Sequence, residues 1–93
     1  MNVISKRELI KLIAKHPQAE IELLAWHKIT RGSDWGSLLD VRRNFPSEDL
    51  LGMVLIFDIL GNQLRLITVA SWRARRIYVK ALLTHKQYDK RSG

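Results

Sequence analysis

Ninety-three residues, 46% of them apolar, suffice for one domain over residues 1–93 with one modest core, and leave no room for a second. The absence of cysteine excludes a disulfide framework and a thiolate metal site, and in so small a core it points to a reducing compartment, the cytoplasm. Sixteen Lys and Arg against nine Asp and Glu give a formal charge of +7, a field that attracts polyanions over a Debye length of ~8 Å at cellular salt, so nucleic acid is the expected partner and an unspecialised basic surface the alternative.

The opening Met1-Asn2-Val3-Ile4 is short and β-prone, with no charged-then-apolar leader. Ser5-Lys6-Arg7-Glu8 reads as a capping box and predicts a helix whose apolar face carries Leu9, Ile10, Leu12 and Ile13. His16-Pro17 ends it, because the residue before proline is pushed out of the helical region. A second helix follows almost at once, with Ile21, Leu24 and Ala25 expected on its apolar side, Glu20 and Glu22 near its positive start, Lys28 and Arg31 near its negative end, and Gly32 closing it. So short a connection makes the two an antiparallel helical hairpin. Ser33 to Leu51 reads as a long loop with one brief helix, capped at Ser37 and running to Arg43, before Asn44-Phe45-Pro46-Ser47 breaks it.

Met53 to Ile59 is apolar almost throughout, as a strand covered on both faces would be, and Gly61-Asn62 tolerates the positive φ of a tight turn. The second arm of that hairpin runs from about Gln63 to Trp72, and Arg73-Ala74-Arg75 turns the chain into a third strand, Arg76 to Thr84. Alternation on this strand places Ile77, Val79, Ala81 and Leu83 on one face and Arg76, Tyr78, Lys80, Leu82 and Thr84 on the other. Helices first and an antiparallel meander after them give an α+β fold, a helical hairpin packed on a small antiparallel sheet. The longest apolar runs, such as Met53 to Phe57, fall far below the ~20 residues a membrane span needs, so a soluble protein with no membrane association is expected.

The polar residues suit cleavage of RNA by its own 2′-hydroxyl, which calls for a base, an acid for the leaving oxygen and cations for the phosphorane. Metal-ligand spacing, a phosphate-cradling glycine loop and a partnered serine nucleophile are all missing, so no metal or other cofactor is expected. In Thr84-His85-Lys86-Gln87-Tyr88-Asp89 a short C-terminal helix would carry a histidine three residues before a tyrosine, bringing imidazole and phenol to neighbouring faces. The plainer reading is a histidine that caps the last strand beside a packing aromatic. Arg65, among Leu64, Leu66 and Ile67, needs an anionic partner if it is even partly buried. Arg42, Arg43, Arg73, Arg75 and Arg76 cluster in a loop and a turn, where arginines suit contact with RNA phosphates rather than sequence reading; a solvated face is the alternative. Trp26, Trp35 and Trp72 share no derivable surface and are expected to pack in the core or the hairpin.

Phe57-Asp58-Ile59-Leu60-Gly61-Asn62-Gln63-Leu64-Arg65-Leu66-Ile67, followed by Thr84-His85-Lys86-Gln87-Tyr88-Asp89, resembles the HigB toxin family of the RelE/ParE superfamily. The two helices, the Trp35 region and the Asn44-Phe45-Pro46-Ser47 loop match in order, so the resemblance covers nearly the whole chain. It implies a RelE-like fold, ribosome-dependent cleavage of messenger RNA, and a cognate HigA-type helix-turn-helix antitoxin. Carried onto this chain, it makes Arg65 the group that binds the scissile phosphate and Lys80 a second cation. His85 becomes general base or acid, Tyr88 a stacking group or proton donor, and Asp89 either orients His85 or caps the terminal helix. Leu64 departs from the family, many of whose members carry an aromatic there; if that aromatic stacks on a nucleotide, this chain lacks the contact and its codon preference is open to change. Two other classes stay open: a ParE-like toxin that binds DNA gyrase without catalysis, against which the Thr-His-x-x-Tyr-Asp terminus argues, and a plain RNA-binding module, for which Tyr78 is the main sheet aromatic.

Overall fold

A computed structural model describes residues 1–45, 49–51, 53–61, 63–84 and 86–87. Strand β1 (Asn2–Ile4) leads to Ser5, whose Oγ accepts the Glu8 backbone N–H at 3.2 Å and so starts α1 (Lys6–Lys15). Only that half of the expected capping box forms, because the Glu8 carboxylate turns instead to Lys11, 3.5 Å away. His16 caps the end of α1, and one 3₁₀ turn (Pro17–Ala19) joins it to α2 (Glu20–Gly32). In α1, Leu9 is buried and Leu12 and Ile13 pack against the core, as the pattern predicts, while Ile10 is exposed.

The buried stripe of α2 is not the expected one. Leu23, Trp26 and Thr30 face the core, whereas Ile21 is 86% exposed, Leu24 43% exposed and Ala25 exposed. Burying the indole of Trp26 removes far more apolar surface from water than any face that turns it outward, so the tryptophan sets the helix rotation. Ser37 leads into α3 (Leu38–Asn44), the brief helix expected there, although the first-turn contact comes from Asp40 Oδ2, which accepts the Gly36 N–H at 2.8 Å.

Four further strands follow: β2 (Asp49–Leu51), β3 (Val54–Ile59), β4 (Leu64–Ser71) and β5 (Arg76–Thr84), in a sheet ordered β1-β5-β4-β3-β2. The β2 to β5 run is antiparallel, as expected, but β1 joins β5 in parallel, so the sheet is mixed. Such a pair needs a crossover, and the chain supplies one: it leaves β1 through the helices and re-enters the sheet at its opposite edge, β2. The three residues of β2, expected as loop, are too few to show a period of their own.

The β3–β4 turn is held from a distance. Leu60 and Gly61 both take positive φ (55° and 66°), and both carboxylate oxygens of Glu22, on α2, accept the Leu60 N–H at 3.0 and 3.1 Å. Beneath the sheet, Phe57 lies edge-on to Trp26 and Phe45 at centroid distances of 5.5 and 5.0 Å and stacks on Trp35 at 6.4 Å. Trp35 Nε1 donates to Asn44 Oδ1 at 2.9 Å. Trp26 and Trp35 are therefore core residues, as expected, and Trp72 packs at the core's margin.

Strand β5 departs from simple alternation at Lys80. Thr68 pairs with Val79 but Ile67 pairs with Ala81, which leaves Lys80 as the extra residue of a β-bulge. Burial accordingly switches phase, from Ile77 and Val79 on one side of the bulge to Leu82 beyond it. Ala81 and Leu83, expected with the core, lie instead on the face that carries Arg65.

Candidate functional site

Phe57 and Leu66 pair in the core, so the next pair along the hairpin, Asp58 and Arg65, falls on the sheet face that points away from the helices. Arg65 Nη1 lies 2.9 Å from Asp58 Oδ1, and the two side chains are 11% and 30% exposed. This is the anionic partner that an arginine among apolar neighbours requires. Sequence reasoning does not single out Asp58, although its signal is plain: one carboxylate in an apolar strand, seven residues before an arginine and across a tight turn from it. Next along the same face stands the apolar pair Ile56 and Ile67.

The register carries this row onto β5, where Arg65 pairs with Leu83, directly before Thr84. Thr84 and Gln87 exchange two hydrogen bonds: Gln87 N–H donates to Thr84 Oγ1 at 3.1 Å, and Thr84 N–H donates to Gln87 Oε1 at 2.9 Å. That reciprocal pair is a capping box, and Lys86 and Gln87 are helical. His85, Tyr88 and Asp89 lie outside the described residues, as does the remainder of the expected C-terminal helix.

Lys80 stands on the bulge, exposed, with its Nζ 5.6 Å from the centroid of the Tyr78 ring. Leu83, opposite Arg65, is three residues further along β5, so Lys80 and Arg65 are separated by roughly 10 Å along the strand direction. They share a region of the sheet without touching.

The five arginines read as one basic set separate in space. Arg73, Arg75 and Arg76 surround the β4–β5 turn, roughly 20 Å along the sheet from Arg65. Arg75, at φ 55°, pairs with Asp34, while Arg73 and Arg76 are exposed and in no ion pair among the described residues. Arg42 and Arg43 lie on α3, both exposed, with Arg43 3.8 Å from Asp40. The structure thus gathers Asp58, Arg65 and the start of the terminal motif at one end of the sheet and leaves the other arginines elsewhere.

On the opposite side of the molecule His27 lines a small cavity with Asn2, Lys6 and Arg31. Burial, reinforced by the charges of Lys6 and Arg31, holds its pKa below the ordinary histidine value of 6.5.

A basic α+β protein with two helices on one face of a mixed sheet, and an arginine–carboxylate pair on the other beside the end of its longest strand, has the architecture of the RelE-like class. Residues 19–91 match the HigB toxin family, described as the RelE-like toxic component of a toxin-antitoxin system, and the chain belongs to that family. Membership implies an antitoxin as partner. The chain is similar to the mRNA interferase toxin HigB of Escherichia coli K12 and to the mRNA interferase HigB of Shigella flexneri, each 27% identical over 92 residues that cover 96% of this chain and 88% of the relative. The mRNA interferase HigB of Escherichia coli O6:H1 is 27% identical over 93 residues, 97% of this chain and 90% of the relative. No helix among the described residues is long and apolar enough to cross a membrane.

Proposed function

We propose that this chain is an endoribonuclease toxin that cuts messenger RNA on the ribosome and so stops translation in the cytoplasm until a HigA-type helix-turn-helix antitoxin restrains it. The observation that carries this reading is the family match over residues 19–91, with relatives named as mRNA interferases along nearly their whole length.

The ribose 2′-oxygen attacks the adjacent phosphorus while the bond from phosphorus to the 5′-oxygen breaks. A base takes the 2′-hydroxyl proton and an acid returns one to the leaving oxygen, which leaves a 2′,3′-cyclic phosphate and a 5′-hydroxyl. In the proposed assignment Arg65 binds the scissile phosphate, held on the outer face of the sheet by Asp58, and stabilises the charge that builds on its oxygens. His85 serves as base or acid, Tyr88 stacks on a base or donates a proton, Lys80 adds a second cation, and Asp89 orients His85 or caps its helix. Side chains supply every role in this route, and it calls for no metal or cofactor. Arg42, Arg43, Arg73, Arg75 and Arg76 contact ribosomal RNA phosphates and position the toxin without reading sequence.

The test is to incubate the purified chain with a defined messenger RNA, once free and once loaded on ribosomes with an A-site codon exposed, and to map the cut ends for the wild type and His85→Ala. Cleavage confined to the ribosome and lost in the variant is expected. A folded, toxic wild type that cuts nothing would move the chain to the gyrase-binding class, and undiminished cleavage by the variant would overturn the role of His85.

A further inference from the structure

The cleft beside His27 gathers basic side chains from two helices. Lys6 opens α1, and His27 and Arg31 stand one turn apart on α2, a spacing that puts them on the same helix face. With Asn2 and Val3 of β1 they line a cavity of about 200 Å³, and no acid is among the described residues that line it. Elsewhere Lys11, Arg43, Arg65 and Arg75 each pair with a carboxylate, whereas Lys6 and Arg31 are in no ion pair among the described residues. Like charges gathered without a counterion repel, and here they add to burial in disfavouring the protonated imidazole of His27.

We propose that Lys6, His27 and Arg31 form a binding site for a phosphate group, carried either by the free ion or by the backbone of an RNA. At roughly 30 Å³ for each water, the cavity has room for several, and so for a phosphate. The guanidinium fork, the ammonium, the imidazolium and the Asn2 amide offer N–H donors from three elements, which suits the divergent oxygens of a tetrahedral anion. A carboxylate is the poorer ligand, because its two oxygens in one plane suit Arg31 alone. The cleft lies apart from the proposed nuclease groups: Asn2 pairs with Arg76 at the start of β5, and Arg65 pairs with Leu83 near its other end, roughly 20 Å along the strand. An entering anion offsets the repulsion and favours the protonated ring, so binding tightens as pH falls through the range in which His27 titrates. The charged groups that face the ring are Lys6 from α1 and Arg31 from α2 itself, while β1 brings the neutral Asn2 and Val3.

The experiment follows the ring resonances of His27 by NMR as a function of pH, in chloride and then at equal ionic strength with inorganic phosphate, dimethyl phosphate, acetate or a 2′-O-methyl RNA hairpin, which has no attacking hydroxyl. The titration midpoint of His27 is expected to rise by about one pH unit or more with a phosphate-bearing probe and to stay in place with acetate. A rise with inorganic phosphate but with neither diester supports the free ion as ligand, and a rise with dimethyl phosphate or the hairpin supports the RNA backbone. In chloride the Lys6→Gln/Arg31→Gln variant should titrate above the wild type, because the repelling charges are gone, and phosphate should raise it no further. The proposal is overturned if no phosphate-bearing probe moves His27, if acetate moves it as far as phosphate does, or if the rise persists in the double variant. None of these readings depends on cleavage, so failure of the nuclease reading would leave the outcome for the cleft untouched.

Discussion

Arg65 and Asp58 are cross-strand partners on the outer face of the sheet, 2.9 Å apart, with the guanidinium the more deeply buried of the two. The carboxylate neutralises Arg65 in the free protein and fixes its direction, and an incoming phosphate must engage the guanidinium alongside it. Asp58 is thus a positioning residue for the proposed phosphate-binding group.

Replacing Asp58 by Asn removes that charge while keeping the size of the side chain. The variant should lose roughly 1.5–3 kcal/mol of stability, the range for a hydrogen bond to a charged group, read from urea midpoints. If Asp58 also aims Arg65, cleavage on the ribosome falls in kcat more than the loss of folded protein explains. Arg65→Lys should fail to restore activity, since an ammonium cannot hold a carboxylate and a phosphate in the planar fork geometry. A variant with wild-type kcat would reduce the pair to a structural role.

Glu22 anchors the β3–β4 turn from α2 by accepting the N–H of Leu60, a residue held at positive φ. Glu22→Ala leaves that donor without its acceptor and should destabilise the fold by about 1–2 kcal/mol, which for a domain of this size lowers Tm by roughly 4–16 °C. Glu22→Gln keeps one acceptor oxygen and should cost less. Equal losses in the two variants would mean that the carboxylate contributes packing rather than its hydrogen bonds.

The sheet was largely legible because its signals are local: an apolar run, Gly61 at a turn, then two arms of matching length. The features that aim side chains were not. The bulge at Lys80 shifts which residues of Val79-Lys80-Ala81-Leu82-Leu83 reach the core, yet nothing in that stretch marks a break in alternation, because Ala81, Leu82 and Leu83 are all apolar. On α2 the apolar residues Ile21, Leu24 and Ala25 form a stripe of their own, but Trp26 decides the buried face by size. For the site, the need of Arg65 for an anion was readable from its neighbours, but the identity of that anion required the hairpin register. His85, Tyr88 and Asp89 rest on the family resemblance rather than on a described position.

Arg73 and Arg76 are exposed at the β4–β5 turn and in no ion pair among the described residues, so their charges are available to RNA. Replacing both by Ala should raise KM for ribosome-bound messenger RNA and leave kcat near wild type. Each lost phosphate contact should also flatten the dependence of log affinity on log salt by about one unit. Arg75 is committed to Asp34, and its replacement should disturb stability more than salt dependence. An unchanged salt slope in the double variant would place the ribosome on another face.

The lowered pKa of His27 makes stability depend on pH, with a definite sign. Burial is the leading cause, followed by the charges of Lys6 and Arg31, and all three disfavour the protonated ring in the folded chain. The unfolded chain, in which the ring titrates near its ordinary value of 6.5, takes up the proton first as pH falls. His27 therefore lowers stability progressively as pH drops through 6.5 toward the folded pKa, and has no effect well above 6.5. Urea midpoints at pH 7.5 and 5.5 should show the wild type losing more stability on acidification than His27→Gln, which is neutral at both. Parallel losses in the two proteins would show that other groups govern the acid response. A wild type stabilised relative to the variant at low pH would reverse the sign and require an anionic neighbour for the imidazolium.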